Sequence, residues 1–166
     1  AEPETLRLDD DGVIANSPLP VLLYRGNAER AADPLAEFEA LFAAHDWPPQ
    51  WRGGVFGYQH YHSTAHEALG VGSGSARVQL GGARGPVVEL HAGDAVVLPA
   101  GTGHCRIESG GGFAVVGAYP ANRPDWDLLR DDPAEHDAAV ERIARVPLPA
   151  ADPVAGPGGP LTTLWA

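Results

Sequence analysis

The order of apolar and polar residues gives the chain three textures. From residue 53 to residue 119, short apolar or alternating runs are separated by the turn-like stretches SGS, GGARG, HAGD, PAGTG and SGGG. That rhythm predicts many short strands closed into a barrel or sandwich. Ala76, Val78 and Leu80 alternate with Arg77 and Gln79, which puts one face of a strand in the core and the other toward water. The run at 95–98 is apolar throughout and predicts a strand covered on both faces.

The flanks read differently. The apolar run at 21–24 is bounded by turn residues and predicts a short strand that adds an edge to the sheet. Asp33 and Pro34 have the form of a helix cap and first helical residue, after which Leu35, Phe38, Leu41 and Phe42 share one helical face. This helix ends before Pro48 and Pro49. Asp132, Pro133 and Glu135 open a second helix, expected to run to about Arg145. The last stretch, PLPAADPVAGPGGPLTTLW, is too rich in Pro and Gly for regular structure, although Leu161, Leu164 and Trp165 suit docking against the body. The expected organisation is one domain over 1–166: a barrel core at about 50–120, an N-terminal strand and helix extension at 1–49, and a C-terminal helix and tail at 121–166.

Composition narrows the classes of function. A chain of 166 residues supports one well-buried core, and its 21 Gly and 16 Pro suit tight turns better than a helical bundle. The formal charge of −11, from 22 acidic against 11 basic residues, repels polyanions, so nucleic acid and anionic membrane surfaces are poor partners. No apolar run approaches the roughly 20 residues a membrane helix needs, and no leader-like pattern stands at Ala1. The lone Cys105 has no intramolecular disulfide partner, so a soluble protein of the reducing cytoplasm is expected.

Chemistry concentrates in two segments. Residues two apart on a strand point to the same face, so His60 and His62 project toward one interior point, and a turn through residues 63–65 lets Glu67 add a carboxylate oxygen from the neighbouring strand. In the second segment a buried strand ends at Pro99, Gly101 and Gly103 permit a tight return, and His104 begins the next strand. Three imidazoles and a carboxylate suit a divalent ion such as Zn, Fe, Ni, Mn or Cu. A one-residue slip of register would exchange Glu67 for His66 as the donor.

These segments resemble the paired motifs of the cupin family, G(X)5HXH(X)3-4E(X)6G and G(X)5PXG(X)2H(X)3N. Gly54, His60, His62, Glu67 and Gly74 match the first. Gly93, Pro99, Gly101 and His104 match the second, and Glu108 stands where the pattern has Asn. The flanks, including WPPQWRGGVFGYQHYHSTAHEALGV, LPAGTGHC and VVGAYP, are similar to the small bacterial cupins of the YjlB-like group. The resemblance implies an all-β double-stranded β-helix, a jelly-roll barrel with N- and C-terminal helical extensions. It also implies a metal at His60, His62, Glu67 and His104, and homodimers, which are common among such proteins.

Other residues carry alternatives. Arg106 shares the parity of His104, so it either clamps a substrate carboxylate or forms an ion pair with Glu108 or another acid, and Glu108, standing in place of the pattern's Asn, is expected to bring a second carboxylate to the cavity. Tyr58 and Tyr119 are expected either to pack or to offer a proton to a bound ligand. Cys105 should point away from the metal as a small buried hydrophobe, while His45, His91 and His136 read as solvated. Two functions fit: a metal-dependent enzyme acting on a small molecule, with oxygenase, isomerase, decarboxylase and lyase chemistry all open, or a non-catalytic module that binds or senses a small molecule or metal. An open metal position beside a proton donor favours the first. The edge at 21–24 offers a route to a homodimer.

Overall fold

The structure is a computed structural model that describes residues 2–123 and 125–166. Among these, nine strands join in one antiparallel sheet that wraps on itself. They are β1 (Glu4–Leu6), β2 (Val21–Tyr24), β3 (Pro49–Gly53), β4 (His60–Tyr61), β5 (Glu67–Leu80), β6 (Val87–His91), β7 (Ala95–Leu98), β8 (His104–Ala118) and β9 (Leu129–Arg130). The helices are α1 (Pro34–Ala44), α2 (His136–Ala144) and α3 (Pro160–Leu164).

Two long strands organise the rest. β5 and β8 pair from Ala68 opposite Ala118 to Leu80 opposite His104. The first half of β5 also pairs with β7 and its second half with β6. β8 pairs with β4 at its start and with β3 at its end. The β5–β8 ribbon thus runs through both halves of a jelly roll, and its bend is marked by register shifts between Val71 and Ser75. At Gly74 the backbone takes φ +67°, and a Cβ there would stand 2.4 Å from the Gly110 carbonyl oxygen, so only glycine fits the corner.

Strand periodicity sorts the apolar residues into two cores. Val21, Leu23, Leu69, Val71, Val96, Leu98 and Val115 fill the barrel interior together with Ala76, Val78 and Leu80. Leu22, Tyr24, Ala68, Ala95, Val97, Val116 and Ala118 face outward, under Phe38 and Phe42 of α1 and under Trp47, Val154, Leu161 and Trp165. The run at 95–98 is apolar throughout because both of its faces are covered. Asp33 caps α1 through Ala36 N, and Asp132 caps a short 3-10 turn at Pro133–Glu135 that leads into α2.

Two expectations are corrected here. The strand at 21–24 is not an edge: β2 is paired by β1 on one side and β7 on the other and is buried at all four positions. It offers no free backbone to a second copy. The tail is not wholly irregular either, since Pro160–Leu164 form α3. Its anchor is Asp152, fully buried, whose carboxylate accepts from Val154 N (2.8 Å), Ala155 N (3.0 Å), Leu161 N (3.1 Å) and the Tyr24 hydroxyl. Trp165 Nε1 donates to Pro20 O at 2.9 Å, and Trp47 Nε1 to Ala151 O at 2.9 Å.

Candidate metal centre

His60 lies on β4 directly opposite His104 at the start of β8, and His62 follows β4 by one residue. Glu67 begins β5 with the parity of Leu69 and Val71, so its side chain enters the barrel interior. His66 and Ala68 turn outward instead. His66 is buried against Trp165, with ring centroids 4.8 Å apart, and its Nδ1 accepts from Ala100 N at 2.8 Å. Burial pushes His66 down to about 4, which keeps the ring neutral and able to accept that bond.

Ligand atoms of His62, Glu67 and His104 lie within 4.8 Å of one another, and all three residues are buried. Glu67 Oε2 lies 3.1 Å from His62 Nε2, and Oε1 lies 3.2 Å from His104 Nε2. His60 stands beside this trio, its ring centroid 4.0 Å from that of His104. Each imidazole presents Nδ1 to a backbone carbonyl: His60 to Tyr58 O (2.9 Å), His104 to Thr102 O (3.0 Å) and His62 to Asp127 O. A ring that donates from Nδ1 carries its lone pair on Nε2, so these carbonyls ready the rings of His62 and His104 as ligands aimed at the carboxylate.

The electrostatics differ from ring to ring. Burial, and then the neighbouring His104, push His60 down to about 3. Burial opposes charge on His62, but Glu67 outweighs it and raises the group. For Glu67, burial works against the carboxylate, yet His62 and His104 hold it well below the usual range. Glu67 Oε1 is buried and has no aligned hydrogen-bond donor. A buried, ionised oxygen left without a donor 3.2 Å from His104 Nε2 is an environment that a cation would complete.

Tyr119 and Trp51 hold the carboxylate from the other side. Tyr119 Oη donates to Glu67 Oε2 at 2.6 Å and accepts from Trp51 Nε1 at 3.0 Å. Burial and the Glu67 charge push the Tyr119 hydroxyl up, so it keeps its proton. Trp51 reaches Tyr119 by lying across Gly117, its partner in the β3–β8 ladder, where an added Cβ would stand 2.2 Å from the indole. Gly117→Ala should therefore displace Trp51 and lower stability by roughly 1–3 kcal/mol, as overpacked cores do. A shifted tryptophan near-ultraviolet signal and an earlier denaturation midpoint would show it, and an unchanged spectrum would not fit.

The segment after the barrel completes the site, and no local pattern in the sequence marks it. The Trp126 ring stacks on Tyr119 at 4.6 Å and meets His62 edge-on at 5.5 Å. Asp127 gives its carbonyl to His62, while its carboxylate accepts from Ser63 N (2.7 Å), Thr64 N (3.1 Å) and both hydroxyls. Burial works against that carboxylate, but the bonds from Ser63 and Thr64 win and lower the group. A pocket of about 420 Å³ opens from the site and includes His60, His62, Glu67, His104 and Tyr119 in its lining.

Several neighbours stand elsewhere than expected. Glu108 does not face the cavity. It is exposed and lies 3.5 Å from Arg77, because β8 carries an extra residue, Ile107, between the partners of Arg77 and Val78, which breaks the alternation. Arg106 is exposed too, lies over Gly57, and has no ion pair with Glu108. Tyr58 stacks on Phe56 beneath the Arg130 guanidinium, outside the pocket lining. Cys105 is buried. His91 is exposed, but His136 is pinned between Asp10 and Asp137 at 2.8 Å from each, and His45 is half-buried with Nδ1 2.9 Å from Pro153 O.

A jelly-roll barrel with this buried His–Glu–His cluster defines a cupin, and residues 49–115 match the Cupin domain family. More narrowly, the chain belongs to the YjlB-like cupins: it is 38% identical over 165 residues to the uncharacterized protein YjlB of Bacillus subtilis (strain 168), covering 99% of this chain and 97% of that one. Among solved structures, the 11S allergen from Cocos nucifera L. matches 75% of this chain at 16% identity and a TM-score of 0.39. Procruciferin, the 11S globulin from Brassica napus, matches 74% at 14% identity and 0.40. The chain spans about a third of either, 32% and 30% of their lengths. Among the described residues no helix is long and apolar enough to cross a membrane.

Proposed function

We propose that the chain is a one-domain cupin that binds one divalent metal ion and acts on a small molecule as a metal-dependent enzyme. His62, Glu67 and His104 are the core of the donor set, with His60 beside them as the fourth. The observation that carries this reading is the buried, donorless Glu67 Oε1 facing His104 Nε2. Zn, Fe, Ni, Mn and Cu all suit imidazole and carboxylate donors.

Such an ion supplies Lewis acidity and a template for oxygen donors. The chain's own residues do the rest. The carbonyls of Tyr58, Thr102 and Asp127 hold the imidazole tautomers, and Tyr119 fixes the carboxylate through Oε2, leaving Oε1 toward the centre. Trp126 covers the His62 ring. Tyr119 commits its one proton to Glu67, and the open pocket beside the donor set favours a catalyst over a sealed, passive binder. The buried thiol of Cys105 suits a reducing cytoplasm. A homodimer would have to use a surface other than β2.

The test is elemental analysis of protein purified without added metal. About one equivalent of a divalent ion is expected for the wild type and a small fraction of that for His62→Ala. Full metal content in the variant, or none in the wild type after exposure to each candidate ion, would overturn the assignment.

A further inference from the structure

The pocket above the metal site has an unusual balance of side chains. Its walls include Trp51, Val55, Phe56, Leu69, Trp126 and Leu128. Two of these, Phe56 and Leu128, remain exposed at its mouth despite their size. At about 420 Å³ it falls in the range of small-molecule sites, roughly 300–1,000 Å³.

The polar side chains of the wall are already engaged elsewhere. Among the described residues that line the pocket, the one cation outside the imidazoles is Arg52. Its guanidinium is held by Glu39 through two bonds, Nε to Oε2 at 2.9 Å and Nη2 to Oε1 at 2.5 Å. Gln50 Nε2 donates to Pro48 O at 3.2 Å. Trp51 Nε1 is taken by Tyr119, and the Tyr119 proton by Glu67. Arg52, exposed and already neutralised by Glu39, is the one wall cation among the described residues that a second charged group on a ligand could reach, and the pocket's carboxylate repels anions away from the metal.

We infer that the site takes a ligand with an uncharged, planar apolar body, of aromatic type, which meets the metal through a single oxygen-bearing head. This inference rests on the metal reading above. The head would face His62, Glu67 and His104, which would hold the ion, while the body lies among Trp51, Phe56 and Trp126, whose faces favour offset-stacked or edge-on contact with another ring. Small dicarboxylates, which need a cation at the end remote from the metal, are disfavoured.

The experiment uses the full chain loaded with Co(II) and titrated with two hydroxamates of the same metal-binding head, benzohydroxamate and acetohydroxamate, read by the visible ligand-field spectrum. Burial of the phenyl ring should make benzohydroxamate bind on the order of tenfold more tightly or better. In Trp126→Ala that advantage should shrink severalfold, and Leu128→Ala, at the mouth and away from the donors, should shrink it to a lesser degree. Equal affinities for the two probes in the wild type, or an advantage unchanged in both variants, would overturn the inference while leaving the metal assignment intact. A wild-type chain that takes up no Co(II) would overturn the metal reading and this inference together.

Discussion

Replacing His104 by Ala should lower metal affinity by at least a hundredfold, read by competition against a chromophoric chelator. Loss of one outer hydrogen bond to a ligand typically costs 10- to 100-fold, and this change removes a donor outright. It also strips Glu67 Oε1 of its nearest nitrogen, 3.2 Å away, and His60 of the ring packed at 4.0 Å. Stability gives a second readout. A ligand present at about a thousand times its dissociation constant stabilises the folded state by about 4 kcal/mol. The wild type should therefore melt later with metal than after chelation, while in His104→Ala that stabilisation should fall to about a third or less. A metal-dependent shift of the same size in the variant would place the ion elsewhere.

The second large effect concerns stability alone. Asp152→Ala should destabilise the chain by about 3–5 kcal/mol, seen as an earlier midpoint in urea with a similar slope. The carboxylate is wholly buried and accepts from three backbone amides and the Tyr24 hydroxyl, and each buried donor left without a partner costs about 1–3 kcal/mol. Burial, the largest cause that pushes the Tyr24 hydroxyl up, persists in the variant, so that proton stays and has lost its acceptor. With the anchor gone, Leu161 and Trp165 lose their hold on the outer face of β2 and β7. Asp152→Asn should recover part of the loss, because the amide oxygen can still accept from the turn. Unaltered stability in Asp152→Ala would mean that the tail contributes little to the fold.

Much of the barrel was legible because strand parity and turn residues are local signals. The alternation of Ala76, Val78 and Leu80 and the apolar run at 95–98 translate directly into one-sided and two-sided burial. The spacing of His60, His62, Glu67 and His104 is legible for the same reason: each stands at a strand start or beside one, where direction follows from position. What escaped depends on contacts far apart in sequence. Asp127 caps Ser63 and Thr64 from more than sixty residues away, and nothing around it announces a partner. β1 hides β2 although only three residues long, so the apparent edge at 21–24 vanished. The misplacement of Glu108 has a smaller cause, one bulge at Ile107, which parity counting does not detect.

The β5–β8 ribbon also bears on how the site and the fold depend on each other. Glu67 and His104 lie at opposite ends of that ladder, near Ala118 and Leu80 respectively, yet their side chains meet at 3.2 Å. Laid flat, the thirteen steps from residue 67 to residue 80 would span roughly 43 Å. An ion seated there would work as a buckle that fastens the two ends of a belt, so anything that flattens the far bend at Gly74 should unfasten it, and unfastening it should slacken the whole loop of the barrel.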